Sequence, residues 1–302
     1  MNAQIDSLNA RYKVPGQLAF EAGPGGFPFV RISTPLASTE VCLHGGHVTA
    51  FQPAGEEPLI WLSPTAIFSP DKAIRGGVPI CWPWFGDHPT DPEKPAHGFA
   101  RNSLWEVVSA SIDADSVARV VLRLSQSLVP QGFFTTDFGL RLEITISREL
   151  TLSLTTTNDS ELPVAMRITD ALHTYLQVGD VEAVRIEGLD GITYRDKLEG
   201  YREKTQVGDV VFREPVDRVY EGTRSAILVI DEQSERTIRV TKSGSDTTVV
   251  WNPGEEGAAR LSDMPDDGYR SMVCVEAANA GQDVINLARD ESHTLSTTIA
   301  LA

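Results

Sequence analysis

The chain has 302 residues and a formal net charge of −16, from 26 Lys and Arg against 42 Asp and Glu. With 41% hydrophobic and 23% charged residues, the composition is that of a globular protein and excludes a mainly disordered chain. So acidic a surface repels nucleic acids and anionic membranes. The sequence also shows no signal-peptide or membrane-spanning pattern. We therefore expect neither a nucleic acid nor a membrane as a partner.

The N-terminal segment fits two descriptions. Residues 2–12 form a short helix with Ile5 and Leu8 facing inward, or the terminus is frayed. No linker-like composition, low-complexity run or fixed-period repeat divides the chain. We therefore expect one domain over residues 1–302, with residues 1–15 as a candidate loose N-terminal extension.

From Gln17 onward, short apolar or alternating segments are divided by Gly and Pro, which is typical of antiparallel strands. The alternation is clearest in residues 140–147, where every second residue is apolar, and it resumes in residues 150–155. This predicts two long strands joined by a tight turn, each with one buried and one wet face. Other strands are predicted at residues 18–21, 29–32, 39–43, 48–51, 105–112, 118–127, 165–169, 171–176, 226–230, 237–240, 247–251, 271–276 and 293–301.

Between the strands, two turns and a helix are predicted. Residues 44–47 resemble a turn, and their two histidines have no third metal ligand nearby in the sequence. Residues 252–257 are predicted to form another turn, followed by a short helix over residues 258–261. Periodicity alone therefore indicates a large, mostly antiparallel β-sandwich or β-barrel.

The three cysteines are Cys42, Cys81 and Cys274. Their number is odd, their spacing is wide and each lies in an apolar context, which predicts buried, reduced thiols in a cytoplasmic protein. No metal-ligand spacing is present, so we expect no metal and no cofactor.

Residues 74–86 are rich in Gly, Pro and aromatic side chains, which excludes an ordinary helix or central strand. Arg75, His88, His97 and Arg101 accompany these aromatic residues. Guanidinium groups beside flat apolar side chains suit a polar, anionic ring-shaped ligand. A buried aromatic turn with surface arginines explains the same residues, and the chemistry alone leaves both interpretations open.

Four motifs together make the chain similar to a known family. They are RGGVPICWPWFG followed by HGFAR (residues 75–86 and 97–101), DALHTYL (170–176), PVDRVY (215–220) and MVCVEAAN (272–279). In this order they resemble the aldose 1-epimerase (mutarotase) superfamily, and within it the hexose-6-phosphate mutarotases, also called glucose-6-phosphate 1-epimerases. The resemblance covers nearly the whole chain. It implies an all-β fold, the galactose-mutarotase-like β-supersandwich, which is a large twisted two-layer sheet with few short helices.

The resemblance also implies a catalytic pair. Interconversion of sugar anomers needs a base for the anomeric hydroxyl and an acid for the ring oxygen. The motif matches imply that His173 is the acid and Glu276 the base. From the residues alone, His173 equally fits a hydrogen-bonded core histidine, and Glu276 fits a carboxylate paired with an arginine. A glutamate at a strand end that faces a shared pocket suits the role of base.

The same matches imply four substrate-binding residues, Arg75, His97, Arg101 and Asp217. The arginines would clamp a 6-phosphate, and Asp217 would accept hydrogen bonds from sugar hydroxyls. The aromatic residues of the first motif are candidates for stacking on the sugar, although core packing is favoured for at least two of them. These residues are Trp82, Trp84 and Phe85.

The implied function is interconversion of the α and β anomers of a hexose 6-phosphate, with D-glucose 6-phosphate as the first candidate and a monomer, or a dimer, as the assembly. The alternatives are a mutarotase for neutral aldoses such as galactose, a non-catalytic carbohydrate-binding protein on the same fold, and a glycoside hydrolase that pairs Asp217 with Glu276. Two departures from the family pattern leave the preferred sugar open. Ala96 occupies a position that is often Gln, and Gly254 one where an aromatic residue is expected.

Overall fold

The computed structural model describes residues 2–129 and 134–302; Met1 and residues 130–133 of the predicted domain lie outside the described residues. Within these ranges the chain forms two α-helices and 23 strands. The helices are α1 (Asn2–Tyr12) and α2 (Gly254–Ala259). The strands are β1 (Leu18–Ala22), β2 (Pro28–Ser33), β3 (Ala37–Cys42), β4 (His47–Pro53), β5 (Ile80–Cys81), β6 (Glu106–Ile112), β7 (Ala118–Leu124), β8 (Phe138–Ile146), β9 (Leu150–Asn158), β10 (Met166–Ile168), β11 (Asp170–Leu172), β12 (Tyr175–Gln177), β13 (Val184–Glu187), β14 (Thr193–Asp196), β15 (Arg202–Thr205), β16 (Val210–Val211), β17 (Val216–Glu221), β18 (Ile227–Asp231), β19 (Arg236–Ser243), β20 (Thr247–Asn252), β21 (Met272–Asn279), β22 (Ile285–Leu287) and β23 (Ser292–Leu301).

The strands assemble into antiparallel sheets, which confirms the predicted all-β, mostly antiparallel fold. A nine-stranded sheet has the order β16-β13-β18-β19-β23-β9-β8-β7-β6, and an eight-stranded sheet contains β15-β14-β17-β20-β21-β11-β5, with β12 also paired to β21. Strands β1 to β4 form a smaller sheet in sequence order, and β10 pairs with β22. The predicted long pair is present as β8 and β9, which are paired from Phe138–Asn158 to Ile146–Leu150.

Helix α1 packs on the rest of the fold through the two predicted apolar side chains, Ile5 and Leu8. Asn9 fixes the helix to β1, because its side chain accepts a hydrogen bond from the Phe20 N–H (2.8 Å) and donates one to the Phe20 carbonyl (2.7 Å). Of the two descriptions of the N-terminus, the structure shows the helix. No helix among the described residues is long and apolar enough to cross a membrane.

Three local predictions were wrong. The predicted strand 171–176 is interrupted, because β11 ends at Leu172 and β12 begins at Tyr175. The predicted turn at residues 252–257 is mostly helix: α2 begins at Gly254, so the helix starts before the predicted residues 258–261. Strand β21 continues beyond the predicted residue 276 to Asn279, so Glu276 lies inside the strand and not at its end.

Alternation along β21 separates the core from a second face of the eight-stranded sheet. Val273, Val275 and Ala277 belong to the main hydrophobic core, which also contains the apolar side chains of β8, β9 and β23. Cys274 and Glu276 point to the opposite face, since successive strand residues alternate. Strand β21 is buried on both faces, so any polar side chain on this second face lies in a largely water-free setting.

Candidate active site

Strand pairing brings the predicted site residues onto this second face of the eight-stranded sheet. Asp217 on β17 pairs with Trp251 on β20, which in turn pairs with Cys274 on β21. Tyr175 on β12 pairs with Cys274 from the other side. Two residues further along β21, Glu276 is opposite Val249 on β20. Residues 217 and 276 are far apart in sequence and become neighbours through antiparallel register alone.

His173 lies in the gap between β11 and β12. Its backbone N–H donates to the carbonyl of Pro79 at 3.1 Å, which ties the interrupted strand to the first motif. The imidazole stacks on the Tyr175 ring at a centroid distance of 4.9 Å and an interplanar angle of 12°. Its Nε2 lies 3.4 Å from Oε1 of Glu276. The interruption that contradicts the predicted strand is therefore what places this histidine opposite the glutamate.

Glu276 is buried, with a side-chain exposure of 1%, and His173 is mostly buried, with a side-chain exposure of 12%. Burial lowers the pKa of His173 well below its ordinary value, and His97 and Arg101 add to the effect. Burial raises the pKa of Glu276 well above its ordinary value, opposed by the nearby charge of Lys197. Each charged form is penalised by desolvation, which favours a pair that holds a single proton between the two groups.

His97 is held as a neutral hydrogen-bond donor. The Gly86 N–H donates to its Nδ1 at 3.3 Å, so the proton of the neutral ring is on Nε2. Burial, together with the charges of Arg101 and Lys197, lowers the pKa of His97 to about 3. The residue that follows has to be glycine, because a Cβ on Gly98 would lie 1.9 Å from the carbonyl oxygen of Trp82.

Arg75 reaches the site from a tight glycine turn. Gly76 and Gly77 have φ angles of 98° and 69°, in the left-handed region that suits glycine. The guanidinium of Arg75 donates to Oδ1 of Asp263 at 3.1 Å and to the hydroxyl of Tyr175 at 3.1 Å. Burial alone would lower the pKa of Arg75, but these two partners outweigh it and raise the pKa. The side chain is therefore a fixed cation.

Arg101 is the last residue of the second part of the first motif and lies in the 3₁₀ segment Ala100–Asn102. One of its terminal nitrogens donates to the carbonyl of Ala96 at 2.8 Å. Its buried Nε has no hydrogen-bond partner among the described residues. This unused donor on a partly buried guanidinium is available to an anionic ligand.

Lys197 completes the site, and the sequence analysis missed it. Its ammonium lies 3.0 Å from Oδ2 of Asp217 and 5.9 Å from the centroid of the Phe85 ring. Burial would lower the pKa of Lys197, but Asp217 raises it, so the group stays charged. Burial raises the pKa of Asp217 against the opposing effect of this lysine. Oδ1 of Asp217 has no hydrogen-bond partner within the described part of the chain.

These side chains enclose a cavity of about 230 Å³. All six residues predicted from the sequence line it, and so do five others. The predicted six are Arg75, His97, Arg101, His173, Asp217 and Glu276; the others are Phe85, Tyr175, Lys197, Val249 and Trp251. A second cavity of about 400 Å³ shares Arg75, Arg101 and Tyr175 with the first. The two arginines therefore lie where the cavities meet.

The aromatic residues of the first motif divide between the core and the cavity. Trp82 is fully buried in the main core, and Trp84 also packs there. Phe85 lines the cavity, with its ring edge-on to His97 at a centroid distance of 4.9 Å. Core packing thus accounts for two of the three residues, as the sequence analysis expected.

The two departures from the family pattern have different surroundings. Ala96 lines the second cavity and gives its carbonyl to Arg101, a contact that any residue at this position can make. Gly254 has a φ of 63°, and a Cβ there would lie 2.7 Å from Cγ of Pro215. An aromatic residue at position 254 would therefore not fit this chain.

One group of described residues is close enough to hold a metal ion. The ligand atoms of His173, Cys274 and Glu276 all lie within 4.8 Å of one another. Burial raises the pKa of the Cys274 thiol well above its ordinary value, and Glu276 adds to this effect.

Comparison with known proteins agrees with the fold and with the motifs. The family model of aldose 1-epimerase matches residues 28–300. A relative from Escherichia coli (strain K12), named "Putative glucose-6-phosphate 1-epimerase", is 37% identical over 252 residues, 83% of each chain. A relative of the same name from Cenchrus ciliaris is 38% identical over 251 residues, 79% of this chain and 74% of the relative. The crystal structure of a "putative mutarotase" from Salmonella typhimurium superposes with a TM-score of 0.89 and 29% identity over 99% of both chains. The chain belongs to the aldose 1-epimerase family.

Proposed function

We propose that this enzyme interconverts the α and β anomers of a hexose 6-phosphate, with D-glucose 6-phosphate as the first candidate. The observation that carries the proposal is that one cavity contains a His–Glu pair and two partly buried arginines. The names of the relatives from Escherichia coli and Cenchrus ciliaris point to the same substrate.

Glu276 acts as the base and His173 as the acid. The carboxylate of Glu276 takes the proton of the anomeric hydroxyl, whose oxygen then forms the C=O bond of the open-chain aldehyde. The bond between the anomeric carbon and the ring oxygen breaks, and the ring oxygen takes the proton from Nε2 of His173. Because both reacting oxygens are bonded to one carbon, acid and base must lie close together, and the 3.4 Å between Nε2 and Oε1 meets this need.

Closure of the ring reverses the proton transfers. Rotation about the first carbon–carbon bond presents the other face of the aldehyde, His173 takes back the proton of the attacking hydroxyl, and Glu276 returns its proton to the new anomeric oxygen. The pair holds one proton throughout and only changes which group carries it. Burial disfavours the charged form of both groups, which stabilises the neutral pair that accompanies the open-chain sugar.

The sugar ring is held by groups around this pair. Oδ1 of Asp217 accepts from a sugar hydroxyl, while Lys197 holds the other carboxylate oxygen. Nε2 of His97 donates to a second sugar oxygen. The Phe85 and Trp251 rings supply apolar surface for the carbon–hydrogen face of the sugar.

The phosphate is bound at the junction of the two cavities. Arg75 and Arg101 line both cavities, so they can contact a phosphate whose sugar occupies the smaller one. Lys72 and Arg260 add positive charge to the larger cavity. This local excess of cations is needed to attract a sugar phosphate to a chain with a net charge of −16.

The geometry favours this chemistry over glycoside hydrolysis. A hydrolase would pair two carboxylates. Asp217 is instead ion-paired with Lys197, and the group beside Glu276 is His173. An acid that is an imidazole and a base that is a carboxylate suit anomer exchange.

The cellular setting belongs to the same proposal. Cys42, Cys81 and Cys274 are free thiols, and all three are buried. Free cysteines are typical of a reducing compartment, which supports a cytoplasmic enzyme. We propose a monomer, with a dimer as the alternative assembly, because one chain alone supplies each residue assigned above.

Anomer-exchange NMR at low buffer concentration tests the function. The protein is added to D-glucose 6-phosphate, D-glucose and D-galactose in parallel, and exchange between the α and β signals is measured. We expect strong acceleration for the 6-phosphate alone. Faster anomer exchange of the neutral sugars would instead indicate a mutarotase for neutral aldoses. Unchanged exchange of all three sugars would favour a non-catalytic carbohydrate-binding protein.

A further inference from the structure

The proposed reaction leaves one buried group beside the catalytic pair without a role. Cys274 lies two positions before Glu276 on β21, so both side chains point to the same face of the sheet. The thiol is free and fully buried. Neither the acid step nor the base step uses it, because His173 donates one proton and Glu276 accepts the other.

Three different donor atoms converge at this point. His173 contributes a ring nitrogen, Cys274 a sulfur and Glu276 a carboxylate oxygen, and all three lie within 4.8 Å of one another. Glu276 is 1% exposed, and its Oε2 has no hydrogen-bond partner among the residues described here. A nearly fully buried carboxylate oxygen without a partner is a free ligand position.

The spacing suits a tetrahedral ion. In a tetrahedral zinc site, bonds of roughly 2.0–2.1 Å place the nitrogen and oxygen ligands about 3.3 Å apart. A zinc–sulfur bond of roughly 2.3 Å places the sulfur about 3.6 Å from the nitrogen and from the oxygen. Nε2 of His173 and Oε1 of Glu276 are already 3.4 Å apart. A side-chain adjustment of roughly 1 Å brings the thiol into range, given these bond lengths.

We propose that His173, Cys274 and Glu276 form a binding site for a thiophilic divalent metal ion such as Zn²⁺, and that the bound ion inhibits the enzyme. A nitrogen, a sulfur and an oxygen ligand with a fourth position open to the cavity make a donor set that zinc accepts. Binding releases the thiol proton to solvent and leaves a thiolate on the metal.

The inhibitory part rests on the proposed function, whereas the binding part does not. A metal on Nε2 of His173 occupies the lone pair that must carry the acid's proton, and coordination of Glu276 removes the base. The ion thus blocks both halves of the reaction at one point. We expect the substrate to compete with the ion, because both need the same cavity.

The surrounding charges permit a cation here. Arg75 and Lys197 each have a carboxylate partner, Asp263 and Asp217, which reduces their repulsion of a metal ion. Arg101 donates a hydrogen bond to the carbonyl of Ala96, a neutral partner that does not offset its positive charge. The Glu276 carboxylate and the Cys274 thiolate that forms on binding carry two negative charges. Together they outweigh the single positive charge of Arg101, so the net charge around the metal ion is negative.

The test is Co²⁺ and Zn²⁺ binding to the intact, chelator-treated protein, with Cys274→Ser as the main variant. Co²⁺ reports a thiolate ligand by its charge-transfer absorption, a readout that does not depend on activity. Cys42→Ser is the matched control, since Cys42 is another buried free thiol but packs against Phe27, Phe29 and Ile74. Mg²⁺ controls for general ionic effects, and circular dichroism confirms that each variant is folded.

We expect a thiolate-to-cobalt band in the wild-type protein and in Cys42→Ser, and none in Cys274→Ser. Zn²⁺ should inhibit anomer exchange, and Cys274→Ser should need on the order of tenfold more Zn²⁺ for the same inhibition. Absence of the band, or equal Zn²⁺ binding by wild type and Cys274→Ser, would overturn the metal site. If the band is present but no sugar is turned over, the metal site stands and the proposed function fails.

Discussion

Replacing Glu276 by Gln removes the proposed base but keeps the size of the side chain. Burial already raises the pKa of this carboxyl, so the neutral amide should be tolerated in the fold. We expect anomer exchange to fall by roughly 10²–10⁴-fold, the usual contribution of one positioned proton-transfer group. The measurement is exchange NMR beside a thermal unfolding curve. A folded Glu276→Gln variant with near-normal exchange would remove Glu276 as the base.

Replacing Lys197 by Met tests the residue that the motifs do not reveal. The variant keeps an unbranched apolar side chain but leaves Asp217 without its ion pair. A hydrogen bond to a charged group contributes about 1.5–3 kcal/mol, so we expect KM for the sugar phosphate to rise by about 10- to 100-fold. The effect on kcat should be smaller, and Lys197→Arg should restore part of the binding. A loss confined to kcat would show that the lysine does not act through Asp217.

Asp170 gives the fold a pH dependence of its own. Burial, together with nearby Asp283, raises the pKa of Asp170 from 3.8 to about 8. Between these two pH values the unfolded chain releases the proton and the folded chain keeps it, so the free energy of unfolding falls as pH rises through this window. The folded state binds more protons than the unfolded state in this window, so Asp170 favours folding most at the acidic end of the window.

We expect the free energy of unfolding of Asp170→Asn to fall much less between pH 4 and pH 8 than that of the wild type, because an amide resembles the protonated carboxyl and does not ionise. Urea unfolding of both proteins at several pH values measures the difference. Parallel pH profiles for wild type and variant would contradict the assignment of the dependence to Asp170.

At the level of elements, the turns that shape the site depend on close backbone approach. Gly98 has a φ of 72°, and a Cβ at this position would lie 1.9 Å from the Trp82 carbonyl oxygen. Gly222 has the same φ of 72°, but a Cβ there would have no described atom within 4 Å. Gly98→Ala therefore suffers both backbone strain and a clash, whereas Gly222→Ala suffers strain alone.

We expect Gly98→Ala to lower the free energy of unfolding by more than the roughly 1 kcal/mol that positive φ alone costs, and Gly222→Ala by about that amount. Thermal and urea unfolding of the two variants would measure this difference. Equal destabilisation would show that the contact with Trp82 relaxes without cost.

The elements differ in how well their sequences define them. Strands β8 and β9 are predictable because each has one buried and one wet face, which produces strict alternation. Strand β21 is buried on both faces, so nothing in its sequence marks where it ends, and the pattern puts Glu276 at the end instead of inside. Pro253 and Gly254 are typical of a turn, although Pro is also favoured at the start of a helix.

The candidate site is predictable only where a motif carries it. Asp217 and Glu276 are recognisable through their motifs, but their proximity depends on strand register across β17, β20 and β21. Lys197 follows β14 in a polar stretch, and no local pattern distinguishes it from a surface lysine. A contact made between distant segments leaves no signal in the sequence around either partner.

At the level of the whole molecule, charge is divided between surface and site. The chain has a net charge of −16, yet Arg75, Arg101 and Lys197 line one small cavity. A strongly negative surface discourages anionic ligands in general, so we expect a sugar phosphate to bind where these cations are concentrated. We propose that the two arginines make the enzyme prefer phosphorylated sugars.

The most direct test is the ratio of kcat/KM for D-glucose 6-phosphate to kcat/KM for D-glucose, measured by anomer exchange for wild type, Arg75→Ala and Arg101→Ala. Arg123→Ala is the matched control, because Arg123 is exposed on β7 and pairs with Glu106. We expect each site variant to lower the ratio by about 10- to 100-fold, the contribution of one charged hydrogen bond, and the control to leave it unchanged. An equal loss of kcat/KM on both sugars would contradict the account, since the arginines would then not recognise the phosphate.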